Sequence, residues 1–144
     1  MRVTETVLLP ASADDAWRRL IDWETQPTWI VDAESVRIMT TQREGLGVYI
    51  EVRTRLLGLP AFTDELEVIV WDPPRRLRMA HRGALRGYGE WTLEPAAEGV
   101  RFAWTEDVSL AIPLVGELAA PLYAPIMRRL MHRSMMTLSR LLTR

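Results

Sequence analysis

The spacing of apolar residues changes twice along this 144-residue chain, and this change limits the fold more than any other feature. Apolar residues first recur at helical spacing behind Ser12, then alternate with polar residues from residue 33 to about residue 110, and return to helical spacing from Tyr123. Alternation predicts strands with one buried and one polar face, and turn signals divide this region into six strands. A further short strand is predicted over Arg2–Leu9.

The predicted order of elements is one strand, short helical pieces, a six-strand meander and a long amphipathic helix. We expect an α+β fold in which a seven-stranded, curved antiparallel sheet wraps around the C-terminal helix, with two short helices between strands 1 and 2. Residues 1–144 then form a single domain. Because such a sheet and helix rarely touch along their whole length, an internal apolar cavity is expected. Pro121 and Pro125 are expected to break or kink the start of the last helix.

Composition excludes several kinds of chemistry. The chain has no cysteine, and all 18 of its basic residues are arginine. Thiolate nucleophiles, disulfides and lysine Schiff bases are therefore excluded, and two histidines are too few for a multi-histidine metal site. The sequence thus indicates no metal and no cofactor. A net charge of −1 gives no general attraction to nucleic acid.

The chain also lacks an evident targeting or membrane-spanning segment. The weakly charged stretch from Val108 to Met127 contains three prolines and Glu117, which do not suit a membrane span. We expect a cytoplasmic monomer or homodimer without stable membrane insertion.

Five segments carry a family resemblance. They are LPASADDAWRRLID at 9–22, PTW at 27–29, WDPPRRL at 71–77, GEWTLEP at 89–95 and GVRFAW at 99–104. With the element order, they make the chain resemble the START/SRPBCC helix-grip superfamily, in its bacterial polyketide cyclase/dehydrase-like branch. The resemblance implies a hydrophobic pocket closed by the C-terminal helix, and relatives that bind lipids, polyketides, quinones or other apolar molecules. It provides no shared catalytic signature, so no residue role is carried over from it.

Alternation predicts which residues share the inner face of the sheet. Pairing Leu93 with Val100 and His81 with Gly87 gives three inward-facing rows. The rows are Leu77 with Trp91 and Phe102, Met79 with Gly89 and Trp104, and His81 with Gly87 and Glu106. Each glycine leaves room for a neighbouring side chain. His81 and Glu106 are therefore predicted to form a catalytic acid/base pair at one end of the pocket. Alternatively, His81 only lines the pocket and Glu106 lies at an exposed strand end.

The candidate ligand-binding residues are mainly aromatic residues and methionines. They are Trp29, Met79, Tyr88, Trp91, Phe102, Trp104, Tyr123, Met127 and Met131. Methionines suit a pocket for varied apolar ligands, although ordinary core packing explains them equally well. Trp29 lies either at the pocket entrance or in the core. Residues 109–125 are expected to gate the entrance.

Three other features favour less specific roles. Asp64 is in phase with inward residues, but we expect it at a strand end facing water rather than in the pocket. His132 is expected on the polar face of the last helix. The arginines at 75, 76, 78, 82 and 86 are expected to pair with acids on neighbouring strands and to leave no nucleic-acid site.

The leading interpretation is a protein that binds a hydrophobic or amphipathic small molecule, such as a lipid or polyketide, between sheet and helix. The alternative is a polyketide cyclase/dehydrase-type enzyme that uses His81 and Glu106, with Tyr88 or Tyr123 as possible donors. An interaction module has no positive support in the sequence.

Overall fold

The computed structural model describes residues 1–56, 58–110 and 115–143. The strands are β1 (Arg2–Leu9), β2 (Ala33–Ile38), β3 (Tyr49–Leu56), β4 (Leu59–Asp72), β5 (Arg76–His81), β6 (Leu85–Ala96) and β7 (Gly99–Leu110). The helices are α1 (Ala13–Leu20), a 3-10 helix (Trp23–Thr28) and α2 (Val115–Thr143). None of the described helices is both long enough and apolar enough to cross a bilayer.

All seven strands form one antiparallel sheet in the order β1-β7-β6-β5-β4-β3-β2, which confirms the predicted meander. The first strand returns beside the last, and α2 packs against β1 and β7. The sheet therefore curves around α2, as predicted for the helix-grip fold.

Local sequence signals explain how α1 begins. Ser12 has extended backbone geometry, and its Oγ accepts a hydrogen bond from the Asp15 backbone N–H at 3.1 Å. Asp14 and Asp15 place negative charge in the first turn, where the helix dipole favours it. The cap satisfies one of the backbone N–H groups that have no partner within the helix.

The predicted pairing of β6 with β7 is wrong by two residues. Ala96 pairs with Gly99, so Leu93 faces Phe102 rather than Val100. The turn contains only residues 97 and 98, whereas the sequence predicts a turn over Pro95–Gly99. A two-residue shift keeps every side chain on its face of the sheet, so the inward-facing set survives while its rows change. The pairing of β5 with β6 agrees with the prediction, including His81 opposite Gly87.

The start of α2 also differs from the sequence prediction. The helix begins at Val115, so Pro121 and Pro125 lie within it and do not divide it. Each proline lacks an N–H and removes one intrahelical hydrogen bond, but the rest of the helix continues through tertiary packing. Met131, Met135 and Leu138 form its buried stripe.

A cluster of aromatic rings occupies the centre of the core. The Trp29 ring lies 5.6 Å from that of Trp91 and 6.1 Å from that of Trp104, measured between centroids. Phe102 packs at 6.5 Å from Trp29 and is fully buried. This cluster forms the floor on which the candidate site is built.

Candidate functional site

A cavity of about 140 Å³ lies between the inner face of the sheet and α2. Its wall is mostly apolar and includes Ile50, Val52, Phe62, Leu66, Leu77, Leu85 and Leu130. The sequence prediction of an internal void is therefore confirmed by the structure.

Six of the nine predicted ligand-binding residues line the cavity. They are Met79, Trp91, Trp104, Tyr123, Met127 and Met131. Their shared position follows from alternation on β5, β6 and β7 and from helical spacing on α2. The structure thus brings them together around one space, whatever occupies it.

The other three predicted residues do not line the cavity. Trp29 and Phe102 are buried beneath its floor in the aromatic cluster, which removes Trp29 from the entrance. Tyr88 is on the outer face, where the Arg78 guanidinium lies 4.0 Å from the centre of its ring. Tyr88 follows Gly87 and precedes Gly89 on β6, so the same alternation that turns those positions inward turns Tyr88 outward.

His81 is held between two carboxylates at the polar end of the cavity. Its Nδ1 lies 2.5 Å from Asp64 Oδ2, and its Nε2 lies 2.9 Å from Glu106 Oε2. Trp104 Nε1 donates to the other oxygen of Glu106 at 2.9 Å. Because a carboxylate can only accept, a protonated imidazole satisfies both partners at once. We call Asp64, His81 and Glu106 the acid–histidine cluster.

The electrostatics of the cluster favour the imidazolium. Burial alone opposes a charge on His81, but the hydrogen bonds to Asp64 and Glu106 and their negative charges outweigh it and raise the pKa of His81 to about 9. At neutral pH the ring is therefore charged and donates through both nitrogens. The neutral imidazole that a general base requires is therefore the minor form of His81 at neutral pH.

Gly89 makes room for Glu106. A Cβ at this position would lie 2.7 Å from Glu106 Oε1, closer than non-bonded atoms approach. The prediction assigned this role to Gly87, which instead faces Val108. Gly87 has φ +114°, and a Cβ there would collide with the Asp107 carbonyl oxygen. Glycine is therefore required at this position by the backbone conformation and by the close approach of β7, and not by Glu106.

Asp64 corrects one expectation from the sequence. We expected it to face water, but it is only 3% exposed and binds His81. β4 continues past Asp64 to Leu59, so the residue is not at a strand end. Its phase with Leu66 and Val68 was the signal that pointed inward.

Asp32 is a site residue that the sequence analysis missed. It precedes β2 and lines the cavity, outside any periodic segment that would have indicated its direction. Burial and the negative charge of Glu106 raise the pKa of Asp32. Burial, Asp32 and Glu106 raise the pKa of Tyr123. A negative potential therefore extends from the cluster toward α2.

The remaining predictions concern the surface. His132 is exposed on α2, and its Nδ1 lies 3.8 Å from a carboxylate oxygen of Glu5. Arg76 and Arg78 both donate to Glu90 on the outer face, and Arg82 lies 3.3 Å from Glu67. The expected charge pairing is confirmed for these three arginines. The expected gate at 109–125 includes residues 111–114, which lie outside the described part of the chain.

Comparison with known proteins gives a consistent assignment. The model of a family described as polyketide cyclase/dehydrase and lipid transport matches residues 1–143. No curated protein matches the chain by sequence.

Solved structures share the fold at low sequence identity. A protein of Thermus thermophilus superposes with a TM-score of 0.81 at 22% identity, over 99% of this chain and 97% of that one. The Zhui aromatase/cyclase from a Streptomyces species superposes with a TM-score of 0.82 at 18% identity, over 100% of this chain and 94% of that one. A START superfamily protein from Mycobacterium smegmatis superposes with a TM-score of 0.71 at 15% identity, over 96% of this chain and 92% of that one. Because the family model matches residues 1–143, the chain belongs to the polyketide cyclase/dehydrase and lipid transport family.

Proposed function

We propose that this protein binds a small, largely apolar molecule in the cavity between the sheet and α2. The observation that supports this most directly is an apolar space that ends in one polar cluster. Binding sites of this kind combine an apolar wall with a few polar groups that orient the ligand. Membership in a family described by cyclisation, dehydration and lipid transport agrees with it.

The volume of the cavity limits the size of the ligand that it can enclose. A cavity of about 140 Å³ is close to the ~150 Å³ space that accommodates benzene in an engineered protein. It therefore suits a group the size of one ring, either a monocyclic molecule or one end of a longer one. A complete long acyl chain is too large to be enclosed.

Calorimetric titration with propylbenzene and related single-ring compounds tests this proposal. We expect saturable binding with a negative heat-capacity change, because apolar surface leaves water. Native mass spectrometry of gently purified protein provides a second measurement, in which a bound small molecule adds its mass. Absence of binding by every single-ring compound contradicts the proposal.

A second candidate function is acid/base catalysis, which the acid–histidine cluster favours. The Glu106 side chain is 14% exposed, compared with 6% for His81 and 5% for Asp64, so Glu106 is the member most available to a ligand. In this scheme Glu106 takes a proton from an acidic C–H of the substrate, which becomes an enolate. His81 and Trp104 hold the Glu106 carboxylate by hydrogen bonds, and Asp64 orients His81. The sequence predicts His81 and Glu106 as an acid/base pair, and this scheme assigns the base to Glu106.

Turnover of a short poly-β-ketone, chosen because the family description names polyketide cyclases, tests this second function. We expect Glu106→Gln to lower kcat by at least 100-fold while the ligand still binds. Equal turnover by wild type and Glu106→Gln, or no turnover above the uncatalysed rate, contradicts catalysis and leaves the binding proposal intact.

A further inference from the structure

We infer that the cavity selects apolar molecules whose polar end donates hydrogen bonds, namely an alcohol, a phenol or an ammonium group, and discriminates against a carboxylate on the same skeleton. The inference rests on the proposed binding function and specifies the chemical class of its ligand. It follows from the charges and hydrogen-bonding groups in the cavity wall.

The charged groups of the wall are mostly acidic. Among the described lining residues they are Asp32, Asp64, His81 and Glu106, and no arginine is included. Even with Asp32 protonated, the two carboxylates of the cluster exceed the single imidazolium by one charge. An anionic ligand would therefore enter a space of low dielectric constant without a free counter-ion.

The donors at the polar end are already in use. Both ring nitrogens of His81 face carboxylates, and the Trp104 indole N–H is bound to Glu106. An incoming carboxylate would have to displace one of these acids. The hydroxyls of Thr54 and Tyr123 and the side-chain amide of Gln26 also line the cavity, but each can donate or accept and so favours neither class of ligand strongly.

Acceptors, by contrast, are in excess. Each oxygen of Glu106 accepts one hydrogen bond from the described residues and retains a second lone pair. An O–H or N–H group of a ligand adds the donor that this arrangement lacks, whereas a carboxylate adds a further acceptor.

Four ligands with one skeleton test the inference at pH 7. They are propylbenzene, 3-phenylpropanol, 3-phenylpropylamine and 3-phenylpropanoate, with affinities measured by calorimetry. We expect the alcohol and the amine to bind at least tenfold more tightly than the carboxylate. Equal or tighter binding of the carboxylate overturns the inference while the proposed binding function stands. If none of the four binds, both are overturned.

Charge-neutral variants show whether Glu106 is the source of the selectivity. Glu106→Gln should reduce the preference for amine over carboxylate at least fivefold, and Asp32→Asn provides a second test if the first variant does not fold. The matched control is Glu98→Gln, which removes one negative charge from the exposed β6–β7 turn and should leave the preference unchanged. An unchanged preference in Glu106→Gln and Asp32→Asn contradicts the inference.

Discussion

At the scale of single residues, His81 is defined by its two carboxylate partners. A buried imidazolium alone would be strongly unfavourable, and a buried carboxylate pair alone would be equally so. Placed together within hydrogen-bonding distance, Asp64, His81 and Glu106 compensate one another except for a single negative charge. The cluster therefore has a structural function regardless of what binds beside it, and that function can be measured.

The stability of the protein should depend on the titration of His81. Because its pKa rises from 6.5 to about 9 on folding, its contribution is fully present below pH 6.5 and is lost as the pH rises through 9. The difference corresponds to about 3 kcal/mol. Urea unfolding at pH 6 and pH 9.5 should show this loss in wild type. The same loss in His81→Gln would contradict the assignment, since that variant lacks the titrating group.

Gly89→Ala should displace Glu106 from His81. The new methyl group would lie 2.7 Å from Glu106 Oε1, so we expect the free energy of unfolding to fall by about 1–3 kcal/mol and the pKa of His81 to fall as well. NMR titration of the imidazole measures the change in the pKa. A double-mutant cycle supplies the control. With Glu106→Ala already present, the collision is absent and Gly89→Ala should cost little. An equal cost in both backgrounds would show that Gly89 serves another purpose.

Residue-scale predictions from the sequence succeeded for the His81–Glu106 pair and failed for Tyr88, Asp64 and the glycine beside Glu106. Alternation placed His81 and Glu106 on one face of the sheet. It predicted that Gly87 leaves space for the Glu106 side chain, whereas Gly89 does so. It also left the position of Asp64 open, because phase shows which way a side chain points and not how far its strand extends. Asp32 lies in a turn, where no periodicity exists to read.

At the scale of elements, the β6–β7 hairpin shows what determines register. Alternating sequence is unchanged by a shift of two residues, so it cannot distinguish the predicted pairing from the observed one. The turn decides, and here only residues 97 and 98 connect Ala96 to Gly99. That choice places Glu106 opposite Gly89 and Trp104 opposite Trp91, and so builds both the acid–histidine cluster and the aromatic floor.

The two faces of α2 should respond differently to truncation. Leu138 is fully buried, and Leu138→Ala should lower the free energy of unfolding by about 2–5 kcal/mol. Met136 is 40% exposed, and Met136→Ala should change it by no more than about 0.5 kcal/mol. Chemical denaturation of both variants checks the helical phase. Comparable losses would mean that Met136 is buried in an interface between copies.

At the scale of the whole molecule, the sequence predicted the architecture more fully than the cavity. The spacing of apolar residues and the order of elements can be read along nearly the entire chain, and together they predict a curved sheet around a helix. The void depends on how side chains such as Trp29 and Tyr123 fill the space, and periodicity contains no information about volume. Trp29 is buried beneath the floor of the cavity instead of at its entrance, and a ring-sized space remains above it.

A larger side chain in the cavity should weaken ligand binding without lowering the free energy of unfolding. A larger apolar side chain in the cavity buries apolar surface of the wall and gains packing contacts. Val52 lines the cavity from β3, so Val52→Phe should place a ring where the ligand binds, weaken propylbenzene binding at least tenfold, and leave the free energy of unfolding equal or higher. Ile69→Phe adds similar bulk at an exposed position on β4 and should leave binding unchanged. Undiminished affinity in folded Val52→Phe would place the ligand elsewhere, because two rings cannot share a space of this size.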